Sequence, residues 1–154
     1  MATQPSPETP SALDQFFCFS IYSSGLALNR FYKPLLDKLG LTYLQYLLLV
    51  VLRERDDQTV SGIGEQLFLE SSTLTPLIKR MESAGLVSRR RDTKDERVVR
   101  VSLTEQGGKL AQEAMCVPME ALTALGMPLD EIRKAEAGFK LLRDAMFASA
   151  RGAE

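Results

Sequence analysis

Apolar positions follow a helical period through most of this 154-residue chain. Met1 to Pro10 is polar and carries Pro5, Pro7 and Pro10, so residues 1–12 are expected to form a disordered tail ending near Ser11. From Leu13 to Leu39 the apolar residues Phe17, Ile21, Leu28, Phe31 and Leu35 recur at helical spacing. That predicts one long helix, bent at Pro34 and stopped by Gly40. Thr42-Tyr-Leu-Gln45 has the form of a capping box and opens an apolar helix to about Arg55. Asp56-Asp57-Gln58 reads as a polar connector. Val60, Ile63 and Leu67 then fit one short helix, and Leu74, Leu77, Ile78 and Met81 a second, with only Phe68 to Glu70 as a tight turn between them. Ser71 or Ser72 can cap the second helix, Pro76 lies early enough in it to cost little, and Gly85 ends it beside an apolar Leu86.

After Gly85 the period changes. Leu86 to Arg91 and Arg97 to Leu103 are rich in β-branched residues and flank a polar tip, Asp92-Thr-Lys-Asp-Glu96, which reads as a β-hairpin. Thr104 caps a helix running toward Leu125, Gly126 and Pro128 break it, and a last amphipathic helix covers Leu129 to Ala150. Helix, turn, helix and basic hairpin, in that order, are the plan of a winged helix-turn-helix. The fold class is mainly α with a small β-hairpin wing and about six helices.

Composition narrows the chemistry. At 45% apolar and 25% charged residues the chain is globular. Its longest apolar run, Tyr46 to Leu52, is far below the ~20 residues of a membrane span. Two cysteines are no disulfide framework, so a cytoplasmic setting is expected; no signal peptide opens the chain. With no histidine there is neither Ser-His-Asp nor Cys-His catalysis and no histidine metal ligand. No cofactor, metal or membrane is expected. Net charge is −1, yet Lys79 to Arg100 holds eight basic and four acidic residues, a +4 window on an otherwise acidic chain. One face is therefore aimed at a polyanion, unless the charge merely solvates a hairpin. The turn Ser71-Ser-Thr-Leu-Thr75 is small and hydroxyl-rich, suited to close approach to base edges and phosphates.

Gly64 to Glu82 (GEQLFLESSTLTPLIKRME), Ala84-Gly-Leu-Val87 and Asp95-Glu-Arg97 resemble the MarR family of bacterial regulators, and the likeness runs from about Leu13 to Ala150. Cys18 in Phe16-Phe-Cys-Phe-Ser-Ile-Tyr22, Tyr32-Lys-Pro-Leu-Leu36 and Leu41-Thr-Tyr-Leu-Gln-Tyr46 are most similar to its organic hydroperoxide resistance repressors. The resemblance implies a single domain over 13–150, with a DNA-reading core at 42–104 and dimerisation helices at 13–39 and 104–150. It implies a homodimeric repressor on a palindromic double-stranded operator, released when an organic hydroperoxide oxidises Cys18, with Tyr32 and Tyr43 hydrogen-bonding the sulfur. It places Glu70, Ser71, Ser72, Thr73, Thr75, Lys79 and Arg80 at the major groove or its rim. Arg97 would enter the minor groove from the wing, where Asp95 fixes it or pins the hairpin. Glu70 reads equally as a contact to a base edge or as a cap or group orienting a neighbouring Arg or Lys. Arg89, Arg91 and Lys94 complete the set on the wing; Arg89, Arg90 and Arg91 alternate in direction, so at most two face phosphates together.

Geometry constrains the sensor. Cys18 and Tyr32 lie fourteen residues apart on one predicted helix, ~21 Å along its axis at ~1.5 Å per residue. If the two touch, Tyr32 comes from a second subunit whose first helix runs antiparallel. Cys18 is expected at least a turn inside its helix, where the dipole contributes little. Cys116 is the only other protein thiol able to resolve a sulfenate; it lies about two helical turns before Thr123, the place of the resolving cysteine in two-cysteine relatives. A low-molecular-weight thiol is the other route. Competing readings are a repressor released by a lipophilic or phenolic ligand with Cys18 structural, a thiol peroxidase, and an adaptor using its winged helix for protein contacts.

Overall fold

A computed structural model describes residues 12–151. The predicted tail up to Ser11 lies outside the described residues. The chain divides into two compact units, the first reaching Val117 and the second starting at Pro118.

In the first unit, a 3-10 turn at Ala12–Gln15 precedes α1, Phe17–Asp37. The expected helix from Leu13 is therefore interrupted. Phe16 is extended (φ −93°, ψ 116°), and its N–H donates to Leu13 O at 3.0 Å, closing the 3-10 turn. Cys18 consequently lies in the first turn of α1, not a turn inside it. Gly40, at φ +66°, follows the helix, and Pro34 is accommodated inside its last turn. α2, Tyr43–Glu54, opens on the predicted capping box: Gln45 N–H donates to Thr42 Oγ1 at 3.4 Å and Thr42 N–H to Gln45 Oε1 at 2.9 Å.

The polar connector is more ordered than its composition suggests. Gln58–Thr59 form a short strand, β1, because the buried Gln58 amide donates to the carbonyls of Val51 (3.0 Å) and Arg55 (2.6 Å). α3, Val60–Leu67, is capped by Thr59 Oγ1, and α4 spans Ser71–Ser83. Neither Ser71 nor Ser72 caps α4. Glu70 is the extended residue at its entry (ψ 154°), with no side-chain cap, so both serines stand inside the first turn. Gly85 (φ +73°) ends α4 as predicted, with Leu86 N–H returning to Met81 O at 2.9 Å. β2, Val87–Arg91, pairs with β3, Val99–Leu103, and β1 adds to the far side of β3, giving an antiparallel sheet of order β1-β3-β2.

The helix predicted from Thr104 to Leu125 is broken into α5, Glu105–Glu113, a 3-10 turn at Ala114–Cys116, and α6, Val117–Leu125. Pro118 explains the break: it has no N–H for Ala114 O, which accepts instead from Val117 N–H three residues on. Seven α-helices are present among the described residues, in line with the expected plan of about six. α5 packs closely on the end of α4: a Cβ at Gly107 would meet Leu86 O at 1.8 Å, so only glycine fits there. Leu48, Leu49, Leu52, Ile63, Leu74, Ile78, Met81 and Val101 form the centre of the core, beneath α3, α4 and the sheet. Fully burying each such side chain contributes about 1.5–3 kcal/mol.

The second unit holds the rest of α6 and α7, Leu129–Arg151, joined through Gly126 at φ +66°. Much of its apolar surface is exposed, including Met119, Phe139, Leu141 and Phe147.

Candidate nucleic-acid interface and thiol site

The core fixes which face of α4 is presented. Burial of Leu74, Leu77, Ile78 and Met81 leaves Glu70, Ser71, Ser72, Thr73, Lys79 and Arg80 exposed and Thr75 half-buried. A cleft of about 300 Å3 runs between this helix and the wing, lined in part by Ser61, Ser71, Thr75, Arg89 and Arg97. Such a surface offers hydroxyls, helix-terminal N–H groups and guanidinium groups to an anion.

The wing is internally braced. Asp95 Oδ1 accepts from Arg97 N–H at 3.0 Å and Asp92 Oδ1 from Lys94 N–H at 2.8 Å, so both carboxylates hold the backbone of the tip. Asp95 thus pins the turn at Arg97, whose side chain is exposed. Arg91 donates to Glu96 O at 2.7 Å across the loop. Arg89 is engaged with Glu82, 2.6 Å away, and so ties the wing to α4 rather than projecting alone. That hydrogen bond from Arg89 holds the Glu82 carboxyl below its usual range.

Sequence reasoning missed the contact that anchors the wing. Asp57 lies 2.7 Å from Arg90 and 3.1 Å from Arg100 and accepts from Ser102 Oγ at 3.3 Å; Arg100 also donates to the Asp57 carbonyl. Desolvation alone would raise the Asp57 carboxyl, but Arg100 and Arg90 outweigh it and hold it low. The available signal was the strand register, which sets Arg90 directly opposite Arg100.

The thiol site has two separate parts. Cys18 is an exposed thiol in the first turn of α1, where helix N–H groups favour an anion. Tyr32 and Tyr43 pack with ring centroids 4.9 Å apart, and Tyr46 completes the cluster at 6.3 and 6.2 Å. Burial raises all three phenols, keeping them protonated donors at neutral pH; for Tyr46, charge on Tyr32, Tyr43 and Cys116 adds to the rise. Cys116, in the 3-10 turn after α5, is exposed, and its thiol donates to Glu113 O at 3.2 Å. Cys18 is fourteen residues from Tyr32 on α1, ~21 Å along a helix. The chain thus brings together Tyr32, Tyr43 and Tyr46 and leaves Cys18 apart from them. Among the described residues no cluster could hold a metal, and no helix is long and apolar enough to cross a membrane.

Residues 30–114 match the transcriptional regulator SarA/Rot family. The chain is 50% identical over 106 residues to the organic hydroperoxide resistance transcriptional regulator of Bacillus subtilis (strain 168), covering 69% of this chain and 72% of that one. The chain belongs to the MarR family of transcriptional regulators, in its organic hydroperoxide resistance branch. A second MarR-type relative, the HTH-type transcriptional regulator TtmR of Methylorubrum extorquens (strain PA1), is 41% identical over 152 residues, 99% of this chain and 78% of that one. Reduced AbfR bound to DNA, a Staphylococcus epidermidis protein, superposes with a TM-score of 0.73 at 34% identity, over 85% of this chain and 90% of that one. The disulfide form of AbfR superposes with 0.60 at 35% identity, over 81% and 88%. In this MarR-family regulator, α3 and α4 are the helix pair of a DNA-binding winged helix-turn-helix, and β2 and β3 form its wing.

Proposed function

We propose that this regulator is a homodimeric, cytoplasmic repressor, not an enzyme, that leaves a palindromic operator when an organic hydroperoxide oxidises Cys18. The separation of the thiol from its tyrosines carries this reading. Within one chain an exposed Cys18 stands ~21 Å along α1 from Tyr32. In two antiparallel α1 helices each cysteine meets the partner's Tyr32 and Tyr43. Their protonated phenols then donate to the sulfur, and hydrogen bonds to a thiolate favour its charged form. The relationship to the hydroperoxide resistance regulator supports the same assignment.

The reaction is attack of the Cys18 thiolate on the peroxide O–O bond. One oxygen joins the sulfur as sulfenic acid, and the other leaves as an alkoxide that takes a proton to become the alcohol. The apolar residues around Cys18, Phe16, Phe17 and Phe19, suit an alkyl or lipid hydroperoxide. Cys116, the second thiol of the chain, then resolves the sulfenate. Its thiolate attacks the sulfenic sulfur and the hydroxide that leaves takes a proton to become water, giving an intersubunit disulfide; a low-molecular-weight thiol is the alternative resolver. Glu70, Ser71, Ser72, Thr73, Thr75, Lys79 and Arg80 read the major groove. Arg97, held by Asp95, enters the minor groove, and Arg89, Arg91 and Lys94 line the phosphates.

A gel-shift titration on DNA flanking the protein's own gene tests the switch, at one salt concentration, before and after stoichiometric cumene hydroperoxide. Release by the wild type and retention by Cys18→Ser is the expected outcome. Equal release by both would make Cys18 structural and favour a lipophilic or phenolic effector.

A further inference from the structure

The wing owes its attachment to a carboxylate outside the hairpin. The β2–β3 register pairs Arg90 directly with Arg100. Two like charges facing each other across strands repel, so a hairpin with this register needs a counter-ion. Asp57 supplies it from the connector after α2, at 2.7 Å from Arg90 and 3.1 Å from Arg100, and Asp92 within the hairpin adds a contact to Arg100 at 3.3 Å. Asp57 adopts φ +53°, a left-handed conformation that aspartate tolerates better than most residues. The neighbouring Asp56 adds a bond from Leu103 N–H at 2.9 Å. Besides these contacts, β1 holds β3 through only two residue pairs, Gln58 with Val101 and Thr59 with Arg100. The clamp is therefore a large part of what joins the wing's base to the connector.

Position at the base matters at the tip. From Arg90 to Lys94 the strand and turn span roughly 13 Å at ~3.3 Å per residue, so a tilt of about 10° at the base displaces the tip by about 2 Å. That is enough to break a hydrogen bond or take a guanidinium out of a narrow groove. We propose that Asp57 is a positioning residue for DNA recognition. By bridging Arg90 and Arg100 it fixes the pitch of the wing against α4 and keeps Arg97 in reach of the operator. Arg90 and Arg100 then serve the wing's placement, not the phosphates. The inference rests on the reading of the wing as a DNA-contacting element.

Asp57→Asn tests it, since asparagine keeps the left-handed backbone and removes only the charge. Operator affinity should fall about tenfold while affinity for an unrelated duplex of equal length stays level or rises, because Arg90 is released. Arg97→Ala should then cost less than twofold in the Asp57→Asn background, against about tenfold in the wild type. Arg100→Gln reaches the same loss from the other side, and combining it with Asp57→Asn should add little, so the test survives if one variant folds poorly. Operator affinity within twofold of wild type in both Asp57→Asn and Arg100→Gln overturns the proposal, as does an equal loss on operator and unrelated DNA. If Arg97→Ala is silent while Asp57→Asn lowers operator affinity selectively, the clamp stands and the assignment of Arg97 fails instead.

Discussion

The two working regions of this chain differ in completeness. The DNA-reading region, from α3 to β3, is finished within one subunit. Its helix pair stands on Leu74, Ile78 and Met81, and its wing is braced by the carboxylates of Asp57, Glu82, Asp92 and Asp95, each accepting from a wing residue. The thiol region is finished only in part. Three tyrosines gather at α1 and α2, while Cys18 lies elsewhere on α1 beside the exposed Phe16 and Phe17. On the proposed function, a reader held in one chain and a sensor divided between two would make dimer geometry the quantity that oxidation alters, and a palindrome reader is sensitive to that geometry.

Substitutions separate the regions, beginning with the largest effect. Leu74→Ala empties a fully buried site under α4 and should cost about 2–5 kcal/mol in thermal or denaturant unfolding, removing DNA binding with it. Cys18→Ser, on an exposed thiol, should leave stability and reduced-state DNA affinity unchanged. It should abolish a hundredfold peroxide-driven release, worth about 2.7 kcal/mol. Arg97→Ala should cost roughly 1–3 kcal/mol of operator affinity by fluorescence anisotropy and lower the salt slope by about one. Thr42→Ala, which opens the capping box at the tyrosine end of α2, should lower stability by about 1 kcal/mol without altering the salt slope.

Titration separates them as well, with opposite signs. Asp57, Glu82 and Asp92 are held below their ordinary values of 3.8, 4.5 and 3.8, Asp92 chiefly by the Lys94 N–H. Their contribution is present above those values and is lost as pH falls through the lowered ones, so the wing's clamps should persist at mildly acidic pH and fail only under strong acid. The tyrosines are raised above 10.0 by burial, so their contribution is present below pH 10 and lost as pH rises past it. An ultraviolet absorbance titration should show late-ionising phenols, and DNA binding should be nearly flat across neutral pH in a chain with no histidine.

The regions also differed in how far the sequence revealed them. Local signals carried the reading half: the capping box at Thr42, the glycine at position 85 and the apolar spacing of α4 each specify structure within a few residues. What escaped was nonlocal. Asp57 meets Arg100 across 43 positions, and no period or motif announces that pairing. Gln58 looked like loop because its strand partner, Val101, lies 43 positions away (101 − 58). The break in the helix after Thr104 was legible in Pro118, whose missing N–H was underweighted against a continuous apolar face. The interruption at Phe16 has no comparable signal, since a phenylalanine N-cap makes no side-chain bond. It nevertheless moves Cys18 into the first turn of α1.

The central claim is that the sensor is assembled from two subunits, and mixed dimers test it directly. One subunit would carry Cys18→Ser, and the other Tyr32→Phe with Tyr43→Phe. The sole Cys18 at the paired sites then belongs to the subunit without those hydroxyls and faces the partner's intact tyrosines. Its rate of oxidation by cumene hydroperoxide should match the wild type. A rate as slow as that of the homodimer lacking both hydroxyls would place the tyrosines in the same chain as their cysteine and contradict the account.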